Sequence, residues 1–190
     1  MDHAVESAVF GGGCFWCTEA VFEQLQGVIS VKPGYAGGVT PTPSYEQVCT
    51  GETGHAEVIE VRYDPAQIAF SDLLTVFFAT HDPTTLNRQG ADVGTEYRSI
   101  ILCTSDEQQR EAEAFIVRLN NSSPEGRPIV TEVARLQKFY EAEGYHHQFF
   151  RNNAELPYCQ FVIYPKLAKL HKEFASLLRS KSRSSSKPAA

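Results

Sequence analysis

Apolar residues fall into short runs along the chain, and the spacing inside each run predicts its element. Ala4 to Phe10 alternates weakly and ends apolar, as an extended segment does. From Cys14 onward, Cys14, Cys17, Val21, Phe22 and Leu25 recur at helical spacing. Val28 to Ala36 reads as a strand, and Gly34, Gly37 and Gly38 with Pro41 and Pro43 mark a loop. His55 to Tyr63 alternates cleanly and stops at Asp64-Pro65. That places His55, Glu57, Ile59, Val61 and Tyr63 on one face of a strand.

Further along, Ser71 to Thr80 reads as a helix with a serine cap. The glycine-punctuated stretch His81 to Gly94 reads as a long loop, and loops of that length tend to be functional. Ser99 to Thr104 is a short apolar strand, and Ser105-Asp106-Glu107-Gln108 is a capping-box signature opening a helix to about Asn120. Ile129 to Leu136 is another strand, Tyr145 to Asn152 a short helix, and Pro165 to Leu178 a longer amphipathic one. Strands and helices interleave irregularly, so the expected class is α+β: a two-layer arrangement of helices on a mixed or mainly antiparallel sheet.

Composition adds bounds. The 190 residues suit one domain, with 42% hydrophobic and 21% charged positions typical of a globular chain. A catalytic domain over 1–179 and a basic, serine-rich, mobile tail over 180–190 are expected. The net charge of −6 gives no electrostatic reason to expect nucleic acid. No apolar run approaches the roughly 20 residues that span a bilayer, and Met1 to Glu6 shows no secretory signal, so the expectation is a cytoplasmic monomer. Five widely spread cysteines, an odd number, do not resemble a disulfide framework and point to thiol chemistry in a reducing compartment.

The candidate chemistry centres on Gly11-Gly12-Gly13-Cys14-Phe15-Trp16-Cys17. Cys14 falls in a first helical turn, where free backbone N–H groups and the helix dipole favour an anion and so lower a thiol pKa. Three readings of Cys14-x-x-Cys17 stand open: half of a zinc site, a thioredoxin-like pair, or one nucleophile with a packed neighbour. The zinc reading lacks a second closely spaced pair, since His146 and His147 are adjacent, and no metal is expected. Glu57 faces either the interior, where burial would keep it neutral and able to donate a proton, or solvent at a sheet edge. Asp92 and Tyr97 are polar groups on the turned loop, and Tyr45 is a further aromatic. Cys49 and Cys103 read as packed.

Together the segments resemble the A-type peptide methionine sulfoxide reductases, the family selective for the S epimer. The matching pieces are GGCFWC (Gly12 to Cys17), GYAGG (Gly34 to Gly38), YEQVCTGETGHAEVIEVRYDP (Tyr45 to Pro65), HDPTTLNRQGADVGTEYRS (His81 to Ser99) and YCQFVIYPKLAKL (Tyr158 to Leu170). The resemblance runs over residues 6–175. It implies an α+β sandwich with a ferredoxin-like core and no cofactor. It makes Cys14 the nucleophile, Phe15 and Trp16 the pocket for the S-methyl group, and Glu57 the proton donor. Tyr45, Asp92 and Tyr97 become the other polar lining.

The resemblance further implies a Cys14 sulfenic acid, an intramolecular disulfide, and reduction of that disulfide by a dithiol such as thioredoxin. The substrates would be free or protein-bound methionine sulfoxide. Some members carry resolving cysteines in a C-terminal tail, but Lys181 to Ala190 holds none. Cys159, read as lying in a loop beside Pro157, is therefore the resolving candidate, with Cys17 its competitor. A thiol peroxidase or disulfide oxidoreductase, and a non-catalytic redox sensor, are the rival functions.

Overall fold

The computed structural model describes residues 4–123 and 126–180. Eight strands and six α-helices are described: β1 (Glu6–Gly11), α1 (Phe15–Phe22), β2 (Val28–Ala36), α2 (Tyr45–Cys49), β3 (Ala56–Tyr63), α3 (Phe70–Thr80), β4 (Arg88–Gln89), β5 (Asp92–Val93), β6 (Ile100–Cys103), α4 (Asp106–Ser122), β7 (Glu132–Arg135), β8 (Phe139–Glu141), α5 (Phe149–Asn152) and α6 (Tyr164–Glu173). Six strands make one sheet in the order β7-β6-β1-β3-β2-β8. Only the β6–β7 pair in this sheet is parallel, so the architecture is α+β on a mixed, mainly antiparallel sheet.

The sheet is apolar on both sides. Phe10, Ile59, Val61, Tyr63 and Ile101 pack with the buried faces of α1, α3 and α6 in the larger core. Val9, Ala36, Ala56, Val58, Ile100 and Leu102 close a second, smaller core. A strand buried on both faces carries little alternation in polarity, as the run from Ala56 to Ile59 shows. The helix α1 sits inside this packing, with seven of its residues buried: Phe15, Cys17, Thr18, Glu19, Ala20, Val21 and Phe22. Phe10 stacks on Phe22 with ring centroids 5.2 Å apart and meets Phe77 at the same separation. Beyond α1 the chain is clasped by its C-terminal segment. Leu25 bridges to Leu178, the Gln26 N–H donates to the Leu177 carbonyl, and Arg179 donates to the carbonyls of Glu23 and Val28.

Several expectations change. The helix α3 begins at Phe70, and its cap is Asp72, whose carboxylate accepts from the Ala69 N–H at 3.1 Å, rather than a serine. Ser105 does cap α4, accepting from the Gln108 N–H at 3.1 Å, but the Gln108 amide reaches Thr104 instead of closing the box on Ser105. The stretch read as loop from His81 to Gly94 contains a two-strand hairpin, β4 with β5. Cys49 is exposed at the end of α2, because that short helix buries only Val48. Cys159 lies in a single π-helical turn (Cys159–Ile163) that runs into α6, not in a loop, and is fully buried. The segment from Tyr145 is broken into a 3₁₀ turn (Gly144–His146) and α5. The expected mobile tail, apart from Ser180, lies outside the described residues. No described helix is long and apolar enough to cross a membrane.

Candidate active site

The glycine run lets the backbone pass through a crowded place. A Cβ on Gly11 would come within 2.7 Å of the Ile100 side chain and 2.9 Å of the Glu57 carbonyl. Gly13 adopts φ +90°, and a Cβ there would meet the Gln89 side chain at 2.6 Å. The chain then turns into α1 with Cys14 at the N-cap and the Cys17 N–H bonded to the Cys14 carbonyl at 3.1 Å.

Glu57 enters from β3, opposite Tyr35 of β2. Its side chain is 2% exposed, and its Oε2 accepts from the Phe15 N–H at 3.0 Å. The interior reading of Glu57 is therefore the observed one. Burial pushes this carboxyl up to about 8, against the Phe15 hydrogen bond, and the charges of Asp92 and Glu96 add to the rise. A carboxyl placed so holds its proton at neutral pH and can give it to a group that gains charge.

Cys14 differs from expectation. Its thiol is pushed above the usual value, by burial first, then by its hydrogen bond with Cys17 and the charge on Glu57. The helix terminus does not overcome the loss of water. Cys17 moves the other way, to about 7, chiefly through the hydrogen bond with Cys14 and against its own burial; Lys166 also favours its thiolate. The Cys17 sulfur is 3.4 Å from the Tyr158 hydroxyl, which donates to Asp92 Oδ2 at 3.3 Å. Cys17 thus packs, as the helical spacing predicts, but it also belongs to a polar chain.

The aromatic residues split in role. Phe15 is fully buried and packs against Tyr35 and His146, with centroids 5.8 and 4.9 Å away. Trp16 stays partly exposed, stacked on Phe149 at 3.6 Å with an interplanar angle of 4°. Its indole N–H donates to His146 Nδ1 at 3.0 Å. The neutral His146 ring then carries its hydrogen on Nε2, which has no hydrogen-bond partner among the described residues and lies 3.8 Å from Glu143 Oε2. Glu143 also accepts from the Tyr35 hydroxyl at 2.7 Å and the Tyr45 N–H at 2.9 Å.

Tyr45 and Tyr97, both partly buried, complete the cluster. Burial comes first in holding both hydroxyls protonated; for Tyr45 the hydrogen bond with Cys49 and then the charge on Glu57 follow, and for Tyr97 the charge on Glu57. The structure therefore brings Cys14, Phe15, Trp16, Cys17, Tyr45, Glu57, Asp92 and Tyr97 around one place. Cys159 is fully buried in the same core, where burial first, and then the charge on Cys17, push its thiol up. Tyr35, Glu143, His146 and Tyr158 contact these residues, although the sequence reading does not single them out for the site. Tyr35 and Tyr158 lie inside segments already singled out, but neither Glu143 nor His146 has a spacing that marks it. Among the described residues, no three His, Cys, Asp or Glu side chains are grouped to hold a metal ion.

A family model described as peptide methionine sulfoxide reductase matches residues 6–178. A protein of Sulfolobus acidocaldarius named peptide methionine sulfoxide reductase MsrA is 54% identical over 170 residues, 90% of this chain and 96% of its own length. Among solved structures, Mxr1 from Saccharomyces cerevisiae in reduced form is similar at 32% identity and a TM-score of 0.75, covering 84% of this chain and 91% of that one. Methionine sulfoxide reductase A of Corynebacterium diphtheriae is similar at 36% identity and a TM-score of 0.72, over 81% of this chain and 77% of that one.

Proposed function

The chain belongs to the peptide methionine sulfoxide reductase family, and from that premise we propose that it reduces the S epimer of methionine sulfoxide, free or within proteins, through Cys14. The observation that carries this reading is the protonated, buried Glu57 held by the Phe15 N–H beside the thiol. Attack of the Cys14 sulfur on the sulfoxide sulfur builds charge on the oxygen. Glu57, assisted by the Tyr45 and Tyr97 hydroxyls, protonates that oxygen and is reprotonated by the Cys14 thiol. Methionine leaves, and Cys14 remains as a sulfenic acid; the thiol proton and the sulfoxide oxygen are both retained in it.

Phe15 and Trp16 supply the apolar wall for the methyl group, with Trp16 held flat between Phe149 and the His146 hydrogen bond. A second thiol, Cys159 or Cys17, condenses with the sulfenic acid, and an external dithiol such as thioredoxin reduces the disulfide. The five free cysteines support work in a reducing compartment, the cytoplasm. A ferredoxin-like core is supported by the chain order β1-α1-β2-β3-α3-β6 and the all-antiparallel spatial order β6-β1-β3-β2. Separated epimers with excess dithiothreitol test the activity: methionine forms from the S epimer alone, and equal turnover of both epimers overturns the assignment.

A further inference from the structure

Building on that reading, we propose that Glu19, which touches no reacting atom, is a positioning residue for the methyl pocket: its carboxylate holds the turn whose His146 and Phe149 set the ring of Trp16. Both ends of this arrangement start from α1. Trp16 and Glu19 are three residues apart, so their side chains leave the same side of the helix, one turn from each other. Trp16 stays partly exposed at the site, whereas Glu19 is only 1% exposed. A carboxylate sunk this far needs a polar partner, because burying a charge without one is costly.

That partner is backbone 129 positions away: Glu19 Oε1 accepts from the Gln148 N–H at 2.9 Å. Burial pushes the Glu19 carboxyl up to about 7, and the Gln148 bond opposes the rise; the charge on Glu23 adds to it, and a weaker pull from the Phe149 N–H opposes it again. Gln148 itself has φ +51° and ψ +36°. This is left-handed backbone, which a residue with a Cβ keeps only where its surroundings hold it there. Removing the acceptor leaves a strained residue with an unpaired donor, and the turn relaxes.

The consequence falls on Trp16. Two residues before Gln148, the His146 ring accepts from the indole N–H at 3.0 Å. One residue after it, Phe149 stacks on the indole at 3.6 Å, with 4° between the planes. Both contacts are thus mounted on either side of the left-handed residue, and a change there tilts one against the other. Glu57 is held separately, by the Phe15 N–H at the start of α1. Loss of the Glu19 carboxylate therefore loosens the apolar wall and leaves the thiol and the proton donor in place.

The test uses Trp16, the only tryptophan in the chain, as its own reporter. Glu19→Ala is expected to open Trp16 to acrylamide quenching and to shift its emission to longer wavelength. KM for the S sulfoxide should rise about three- to tenfold, the affinity equivalent of one lost hydrogen bond. The single-turnover rate at saturating sulfoxide should stay within about twofold, as when binding is weakened and the chemical step is not. Glu19→Gln keeps an acceptor oxygen and should return quenching and KM toward wild type. A folded Glu19→Ala whose quenching and KM match wild type overturns the proposal, even if its urea midpoint falls, and so does a Glu19→Gln as perturbed as Glu19→Ala. Where Glu19→Ala does not fold, amide exchange at Gln148 decides: protection in wild type that weakens in Glu19→Gln, with quenching rising alongside, supports the role, and equal exchange overturns it. No methionine from wild type with excess dithiothreitol is instead a failure of the reductase reading, and the quenching comparison then decides the role of Glu19 by itself.

Discussion

The indole N–H of Trp16 donates to Nδ1 of His146 at 3.0 Å, across 130 positions of sequence. This bond sets the tautomer of a fully buried imidazole and the plane of the only tryptophan in the chain. One face of the indole is stacked on Phe149. A side chain held from two directions keeps its orientation when a small apolar group docks against it.

Trp16→Ala is therefore expected to raise KM at least about tenfold, the order of one lost apolar anchor of 1–3 kcal/mol. Because Trp16 is only partly buried, the denaturation midpoint should fall less than for a core aromatic. Steady-state kinetics beside urea titration checks this. Loss of cooperative folding, with normal KM in the folded fraction, would show that the indole is only a packing residue.

For Glu57, rate and stability should move in opposite directions. Its folded value of about 8 lies above the ordinary 4.5, so between these values the folded chain binds more protons than the unfolded one. Stability from this group is full below the lower value and is lost as pH rises through the upper one. Glu57→Gln keeps an oxygen for the Phe15 N–H and abolishes that loss. The variant should gain stability over wild type from pH 4.5 to 8, read by urea titration at each pH. Its single-turnover rate should drop about 10²–10⁴-fold.

The exposed Cys49 should react first with iodoacetamide in the native reduced enzyme, ahead of Cys14, Cys17, Cys103 and Cys159, all of which are buried. Peptide mapping after brief alkylation reads the order. Cys49→Ser should change stability by no more than about 0.5 kcal/mol, as exposed substitutions do.

Helix α3 supplies a purely structural test. Asp72→Ala removes the acceptor of the Ala69 N–H and should cost about 0.5–2 kcal/mol, whereas Ser71→Ala should cost almost nothing. Thermal or urea midpoints of the two variants distinguish them, and equal losses would return the cap to the serine.

How much of this was legible from residues alone depended on the range of the interaction. Val28–Ala36 matches its strand at both ends because apolar spacing and glycine punctuation are local signals. Glu57 could be placed on the face of Ile59 and Val61 by parity alone. Cys49 misled because a five-residue helix buries one residue, too few for a period to show. The direction of the Cys14 shift was not legible because desolvation depends on what covers the thiol, and the core around it is assembled from distant segments. His146 and Glu143 were invisible for the same reason. Their roles arise from β8 and the following 3₁₀ turn meeting α1, a juxtaposition with no local mark in the sequence.

The clasp on the far end of α1 bears on how the chain reaches this state. Arg179 donates to the Glu23 carbonyl across 156 positions, so the end of the nucleophile helix is secured only when distant parts of the chain meet. Contacts of such separation come late in folding, since loop entropy must be overcome first. Until then the paired thiols of α1 lack their burial and meet oxidants as ordinary cysteines, so nascent and heat-stressed chains are the forms most prone to mispaired disulfides. Slow amide exchange at Leu25 and Gln26 should therefore appear together with the protection of Cys17 from alkylation during refolding.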